Sequence, residues 1–87
     1  MAWRIELTGE ARKQLQKLDR TEAKRIRDYL RRIETLDDPR QSGKALRGRL
    51  GELWRYRVGS YRLICELRDE ALVVLIIRIG HRSNIYR

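Results

Sequence analysis

Arginine is the residue type in this chain that is best suited to chemistry. The 87-residue sequence carries 21 Lys and Arg against 12 Asp and Glu, a formal charge of +9, and 17 of the basic residues are arginine. A guanidinium is planar, permanently charged and able to grip two phosphate oxygens at once. So basic a chain attracts polyanions, which makes nucleic acid the first partner to test and an acidic protein the second. A merely soluble basic surface is the alternative.

Three arginines fall on one face of a predicted β-hairpin. A two-residue turn at Gly59-Ser60 joins strands over residues 53–58 and 61–67, which sets Arg57 opposite Arg62. Arg55 shares their face. Like charges directly across a strand pair are destabilising, and no acidic residue stands opposite Arg55 or Arg57 in this register. The pattern therefore predicts an anion on this face. The opposite face suits the core and carries Trp54, Tyr56, Val58, Tyr61, Leu63 and Cys65.

The segment after the last predicted strand supplies three further candidates. His81 is the only histidine, Arg82 follows it, and Tyr86 lies one residue before the end of the chain. A histidine beside an arginine at the end of a core strand is a candidate for function, with a solvated loop residue as the alternative. Tyrosines near a terminus are often merely exposed.

Residues 40–51 are expected to form a basic loop. Three glycines interrupt any periodicity there, among Lys44, Arg47 and Arg49. These three cations could contact a phosphate backbone, or the segment could be a solvated connection. We take them as candidate nucleic-acid-binding residues.

The elements that position these residues follow from periodicity. Period-two alternation over residues 3–7 predicts a strand, Thr8 can cap a first helix, and Asp19 with Glu22 three residues later resembles a capping box for a second. Residues 72–79 are apolar on both faces and predict an interior strand. The order is β-α-α-β-β-β. We expect a single α+β domain over residues 1–87, with two helices on one face of a four-stranded, largely antiparallel sheet. The stripe of the second helix is Ala23, Ile26, Leu30 and Ile33.

Several classes of protein are disfavoured by composition. Cys65 is the only cysteine and cannot form an internal disulfide, and the first residues contain no apolar run typical of a signal peptide. The longest apolar stretch, residues 71–77, is far shorter than the ~20 residues that cross a bilayer. We expect a cytoplasmic protein without a membrane partner. One histidine and one cysteine cannot build a zinc site, so neither metal nor cofactor is expected.

Four motifs follow one another in the C-terminal half of the chain. They are Leu46-Arg47-Gly48, residues 53–63 (LWRYRVGSYRL), Ile79-Gly80-His81-Arg82 and Ile85-Tyr86. Together they resemble the signature of the RelE/ParE toxin superfamily, and the β-α-α beginning agrees with it. In the RelE branch the toxin cleaves messenger RNA in the ribosomal A site, whereas the ParE branch inhibits DNA gyrase and lacks the catalytic residues.

The resemblance implies roles for particular residues. The RelE branch uses basic residues on the hairpin, an arginine on the following strand, an arginine after the last strand and a C-terminal tyrosine. These positions match Arg55, Arg57, Arg62, Arg82 and Tyr86. It implies a metal-independent endoribonuclease, an RelE-like fold and an antitoxin partner, with mRNA and the ribosome as further partners. His81 is added as a candidate acid or base.

Two other functions stay open at this point. One is a gyrase inhibitor without nuclease activity, and the other is a nucleic-acid-binding module whose arginines only hold phosphates. The charge of +9 further predicts that the antitoxin carries an acidic segment.

Overall fold

The computed structural model describes residues 3–46 and 53–83, which form one mixed β-sheet and two helices. The strand order is β1-β5-β4-β3-β2, with β1 parallel to β5 and all other neighbours antiparallel. No helix in these two ranges is both long and apolar enough to span a bilayer. The elements are β1 (Arg4–Leu7), α1 (Gly9–Lys17), α2 (Arg20–Thr35), a 3-10 turn (Pro39–Gln41), β2 (Lys44–Leu46), β3 (Leu53–Val58), β4 (Tyr61–Arg68) and β5 (Val73–His81).

The sheet has five strands, so the prediction of four was wrong by one. The additional strand, β2, lies inside the predicted loop and pairs with β3, where Lys44 stands opposite Arg55 and Leu46 opposite Leu53. Three residues are too few to show a period of two in the sequence. The strand is specified by its partner, because β3 offers a hydrogen-bonding edge to whatever chain lies beside it.

Both helices begin at the predicted caps. The Thr8 hydroxyl accepts a hydrogen bond from the Ala11 amide at 3.1 Å, and the Asp19 carboxylate accepts one from the Glu22 amide at 2.8 Å. Each bond satisfies an amide that the helix itself leaves unpaired. The predicted stripe of α2 is buried at all four positions and packs on the sheet, which confirms the amphipathic reading.

The first helix protects the edge of β5 that the short strand β1 leaves uncovered. The Thr8 hydroxyl donates to the Ile77 carbonyl at 2.9 Å, and the Ile79 amide donates to the side-chain carbonyl of Gln14 at 2.6 Å. Arg78 forms an ion pair with Glu10 at 3.1 Å. These contacts fix the last half of β5, which leads directly to His81 and Arg82.

The segment before β2 is held against the core by two aromatic donors. Trp54 donates its indole N–H to the Ser42 carbonyl at 2.7 Å, and the Tyr56 hydroxyl donates to the Pro39 carbonyl at 2.8 Å. Burial raises the pKa of Tyr56, which keeps its hydroxyl protonated and able to donate. Gly43 has a φ of +82°, and a Cβ there would lie 2.5 Å from the Arg55 carbonyl oxygen. Only glycine permits this close approach.

Candidate nucleic-acid interface

The hairpin register places two arginines side by side on the face of the sheet that the helices leave open. Arg57 stands opposite Arg62, with Val58 opposite Tyr61 beside the turn, as the sequence predicted. On the other side of β4, Arg62 stands opposite Gly80 of β5. Gly80 contributes no side chain, so Arg62 has a cation on one flank and no side chain on the other. Sequence reasoning missed this position, because the irregularity between Ile64 and Cys65 hides the β4–β5 register.

Arg62 is buried although it carries a charge. Only 8% of its surface is exposed, and its Nη1 atom is buried without a hydrogen-bond partner. Leaving a buried donor unsatisfied costs about 1–3 kcal/mol, and more when the group is charged. Such an arrangement is unfavourable for the folded protein alone, and an anion that accepted a hydrogen bond from Nη1 would remove the penalty.

Several cations of this face have no carboxylate partner among the described residues. Within residues 3–46 and 53–83, none of the ion pairs includes Lys44, Arg57, Arg62 or Arg82. Other basic side chains of the same ranges are paired, such as Arg40 with Asp69 at 2.8 Å. Arg55 shares the face and is half-buried, opposite Ile64. The structure therefore brings Arg55, Arg57 and Arg62 together on the open face, and Arg57 and Arg62 form no ion pair with a carboxylate of the described residues.

Arg82 lies beside the hairpin turn. Its backbone amide donates to the Ser60 carbonyl at 2.9 Å, which attaches the chain after β5 to the turn between β3 and β4. Its side chain is exposed. The predicted proximity of Arg82 to the hairpin arginines is thus supported at the level of the backbone, because Ser60 is two residues from Arg62.

His81 lies on the other face of the sheet, which the sequence did not anticipate. It stands opposite Tyr61, and the two rings meet edge to face with centroids 5.8 Å apart. Tyr61 packs against the core on the helix side, whereas Arg57 and Arg62 point to the open side. The His81 Nδ1 atom lies 2.9 Å from the Ser83 hydroxyl. The structure therefore separates His81 from the arginine pair.

A depression of about 260 Å³ lies beside Arg55 and Arg57 at the edge of β3. Its lining includes Lys44 and Tyr29 in addition to Arg55, Arg57 and Gly43. Of the three cations predicted in the basic segment, Lys44 reaches this depression. Tyr29 was not predicted as a site residue, since it belongs to α2 and only the tertiary fold brings it here.

The remaining candidates cannot be placed. Arg47, Arg49 and Tyr86 lie outside the described residues. Within the described ranges no group of three or more His, Cys, Asp or Glu side chains could hold a metal ion. Cys65 is fully buried, and burial raises the pKa of its thiol, which disfavours the reactive thiolate.

Fold and site together define a small α+β protein with a cluster of arginines on one face of its sheet. Residues 5–86 match the family model described as the ParE toxin of type II toxin-antitoxin systems. The chain belongs to this toxin family.

Two curated proteins and one solved structure are similar to this chain. The chain is similar to the mRNA interferase toxin RelE of Escherichia coli, with 31% identity over 99% of this chain and 92% of that protein. It also resembles the toxin RelG of Mycobacterium tuberculosis, with 42% identity over 58% of each chain. The fold superimposes on the toxin-antitoxin complex RelBE2 of Mycobacterium tuberculosis with a TM-score of 0.83 and 28% identity, covering 97% of this chain and 95% of that one.

Proposed function

We propose that this chain is the toxin of a type II toxin-antitoxin system and acts as a metal-independent endoribonuclease on messenger RNA. The observation that carries the proposal is the arginine pair on the open face, in which the buried Nη1 of Arg62 has no partner. A phosphodiester supplies the anion that this pair lacks. The similarity to a curated mRNA interferase over nearly the whole chain supports the same substrate.

The reaction is cleavage by the RNA's own 2′-hydroxyl group. The 2′-oxygen attacks the adjacent phosphorus and loses its proton, a bond to phosphorus forms, and the bond to the 5′-oxygen breaks. The departing 5′-oxygen takes up a proton, which leaves a 2′,3′-cyclic phosphate and a 5′-hydroxyl. Negative charge accumulates on the phosphoryl oxygens in the transition state, so preorganised cations there lower the barrier.

Each arginine has a role that suits a permanent charge. Arg62 and Arg82 grip the scissile phosphate, while Arg55 and Arg57 stabilise charge or align the backbone. An arginine does not readily release a proton, so none of the four serves as the general base. Tyr86 is retained as the residue that stacks on a base or assists proton transfer. The geometry of His81 favours a structural role over acid–base catalysis, because its ring lies on the opposite face.

The partners follow from the charge and from the relatives. We propose that an antitoxin with an acidic segment covers the open face, that the toxin acts on mRNA on the ribosome, and that it does so in the cytoplasm. The solved RelBE2 complex is a toxin-antitoxin assembly of the same fold, which supports an antitoxin partner. Ion pairs to such a segment would weaken as salt is raised.

Cell-free translation followed by primer extension tests the activity. Discrete cuts in ribosome-bound message on adding the toxin, abolished by Arg62→Lys, are the expected result. The lysine keeps the charge but loses the guanidinium fork that holds two oxygens. Intact message together with inhibited DNA supercoiling would instead favour gyrase as the target, which the family description as a ParE toxin makes the second candidate.

A further inference from the structure

The depression beside β3 lies next to the end of the β2–β3 pairing. β2 begins at Lys44, which pairs with Arg55, so no described strand continues beside β3 at Arg57. The Val58–Tyr61 pair flanks a two-residue turn and is hydrogen-bonded, and backbone groups alternate in direction along an antiparallel strand. The N–H of Arg57 therefore points to the β2 side of β3, beyond the described β2–β3 pairing. The depression on that side is lined by Lys44, Arg55 and Arg57, which places a backbone donor beside three cationic residues.

The walls of this depression are fixed by local contacts. Tyr29 shares a hydrogen bond of 2.5 Å with Ser42, its ring meets Tyr56 edge to face at 5.7 Å, and the guanidinium of Arg32 lies 5.2 Å from its ring centre. Gly43 forms part of the lining without a side chain. A rigid wall loses little conformational entropy when a ligand binds, which favours a preformed subsite.

The cations form a continuous row across the open face. Lys44 faces Arg55 across one strand pair, Arg57 follows two residues along β3, and Arg62 faces Arg57 across the next pair. Cβ atoms of facing residues lie about 4.5–5.5 Å apart, and alternate residues of a strand lie about 6–7 Å apart. Two phosphates of one extended RNA strand can therefore be held by opposite ends of the row.

We propose that the depression is a second phosphate subsite, which binds the phosphodiester adjacent to the cleaved one through Lys44, Arg57 and the Arg57 amide. This inference rests on the proposed nuclease function and adds Lys44 as a positioning residue. The cleaved phosphate occupies the Arg62 end of the row, and the neighbouring phosphate occupies the Lys44 end. Holding both fixes the direction of the strand over the arginine pair. RNA is favoured over an acidic peptide, because the row continues without a break into the proposed cleavage site.

The test is the salt dependence of RNA binding. The probe is a short single-stranded RNA with 2′-O-methyl riboses, which cannot be cleaved, so binding is measured by fluorescence anisotropy whether or not the toxin is a nuclease. Each lost phosphate contact on a single strand reduces the slope of log K against log salt by about 0.7. Lys44→Gln should show this reduction and Lys44→Arg should not. Lys13→Gln, the same change at an exposed position of α1, should keep the slope of the parent.

A modified RNA locates the contact. Probes with a single neutral methylphosphonate are compared, one linkage at a time. At one linkage beside the cleavage position, parent and Lys44→Gln should bind equally, because the phosphate charge that Lys44 would contact is absent.

An unchanged slope for Lys44→Gln, or a difference that persists with every methylphosphonate, overturns the subsite. A loss confined to binding of the antitoxin's acidic segment would assign the depression to a protein partner and also overturn it. Absence of cleavage by the parent, with Lys44-dependent RNA binding retained, would overturn the nuclease proposal alone.

Discussion

The two ends of β4 each carry an arginine on the same face of the sheet, but the two arginines have different neighbours. At one end, which we call the paired end, Arg68 forms an ion pair with Glu66. On the other side of β5, Arg4 and Glu6 of β1 form a similar ion pair. At the other end, which we call the arginine end, Arg62 is buried, stands opposite Arg57 and has an Nη1 atom without a hydrogen-bond partner. The register places the two glutamates on either side of Leu75.

This difference separates charge used for solubility from charge kept for a ligand. The carboxylates at the paired end neutralise their arginines within the protein, and exposed pairs of this kind contribute little to stability. At the arginine end the protein retains repulsion and an unsatisfied buried donor. Such local cost at one end of an otherwise balanced face is expected where binding or catalysis requires it.

The largest effect on cleavage is expected from replacing Arg62 by methionine, with the same replacement of Arg68 as the control. Arg62→Met removes a donor to the phosphate and should lower the cleavage rate by about 10²-fold or more, the scale of a lost transition-state donor. It should also raise the free energy of unfolding by about 1 kcal/mol, because a buried unsatisfied charge disappears. Arg68→Met is the matched control at the paired end and should leave cleavage unchanged. Primer extension and denaturant melts measure both quantities, and equal loss of cleavage in the two variants would contradict the comparison.

Two substitutions of Arg57, first by glutamine and then by glutamate, should remove the repulsion at the arginine end step by step. Arg57→Gln removes the repulsion with Arg62 and should stabilise the fold by a few tenths of a kcal/mol, and Arg57→Glu, which adds a cross-strand ion pair, by up to about 1 kcal/mol. Both should slow cleavage, the glutamate variant more. Thermal melts are run with and without sulfate, which should stabilise the parent more than either variant. If the parent is the most stable of the three in sulfate-free buffer, the repulsion is absent.

A smaller effect is expected at His81, which lies at the arginine end but on the helix face. His81→Ala should reduce cleavage less than tenfold, through loss of the contacts with Tyr61 and Ser83. The shape of the rate profile between pH 5 and 8, where histidines commonly titrate, should not change. Flattening of that profile in the variant would restore His81 as an acid or base despite its position.

The smallest effect concerns the exposed ion pair between Arg40 and Asp69. Two hydrogen bonds from the Arg40 guanidinium lower the pKa of Asp69 below its ordinary value of 3.8. A carboxylate whose pKa is lowered by folding stabilises the folded state above its unfolded pKa, and this contribution is lost as the pH falls through the folded value. Asp69→Asn should therefore melt slightly below the parent at pH 7, and the difference should shrink as the pH falls below 3.8 and vanish once the pH is below the folded-state pKa of Asp69. A difference that persists in acid would show that the pair acts through packing.

Much of the local structure could be read from the chain. The helix caps at Thr8 and Asp19 and the buried stripe of α2 follow from short-range patterns, since each depends on residues within two turns of a helix. The hairpin register was also predicted, because a two-residue turn leaves one pairing of Arg57 with Arg62. A face with three arginines was therefore visible without coordinates, as was the resemblance to the toxin superfamily.

What the sequence could not supply were relations between distant elements. β2 is a strand only because β3 lies beside it, and β5 follows β4 with an irregularity that no periodicity reveals. That register decides that Gly80 lies next to Arg62 and that His81 turns to the helix face. Closeness along the chain suggested that His81 acts with the arginines, but successive residues of a strand point to opposite faces, so His81 lies on the face opposite to Arg62. The sequence by itself determined which charges the protein carries, and the tertiary structure decided which of them share a surface.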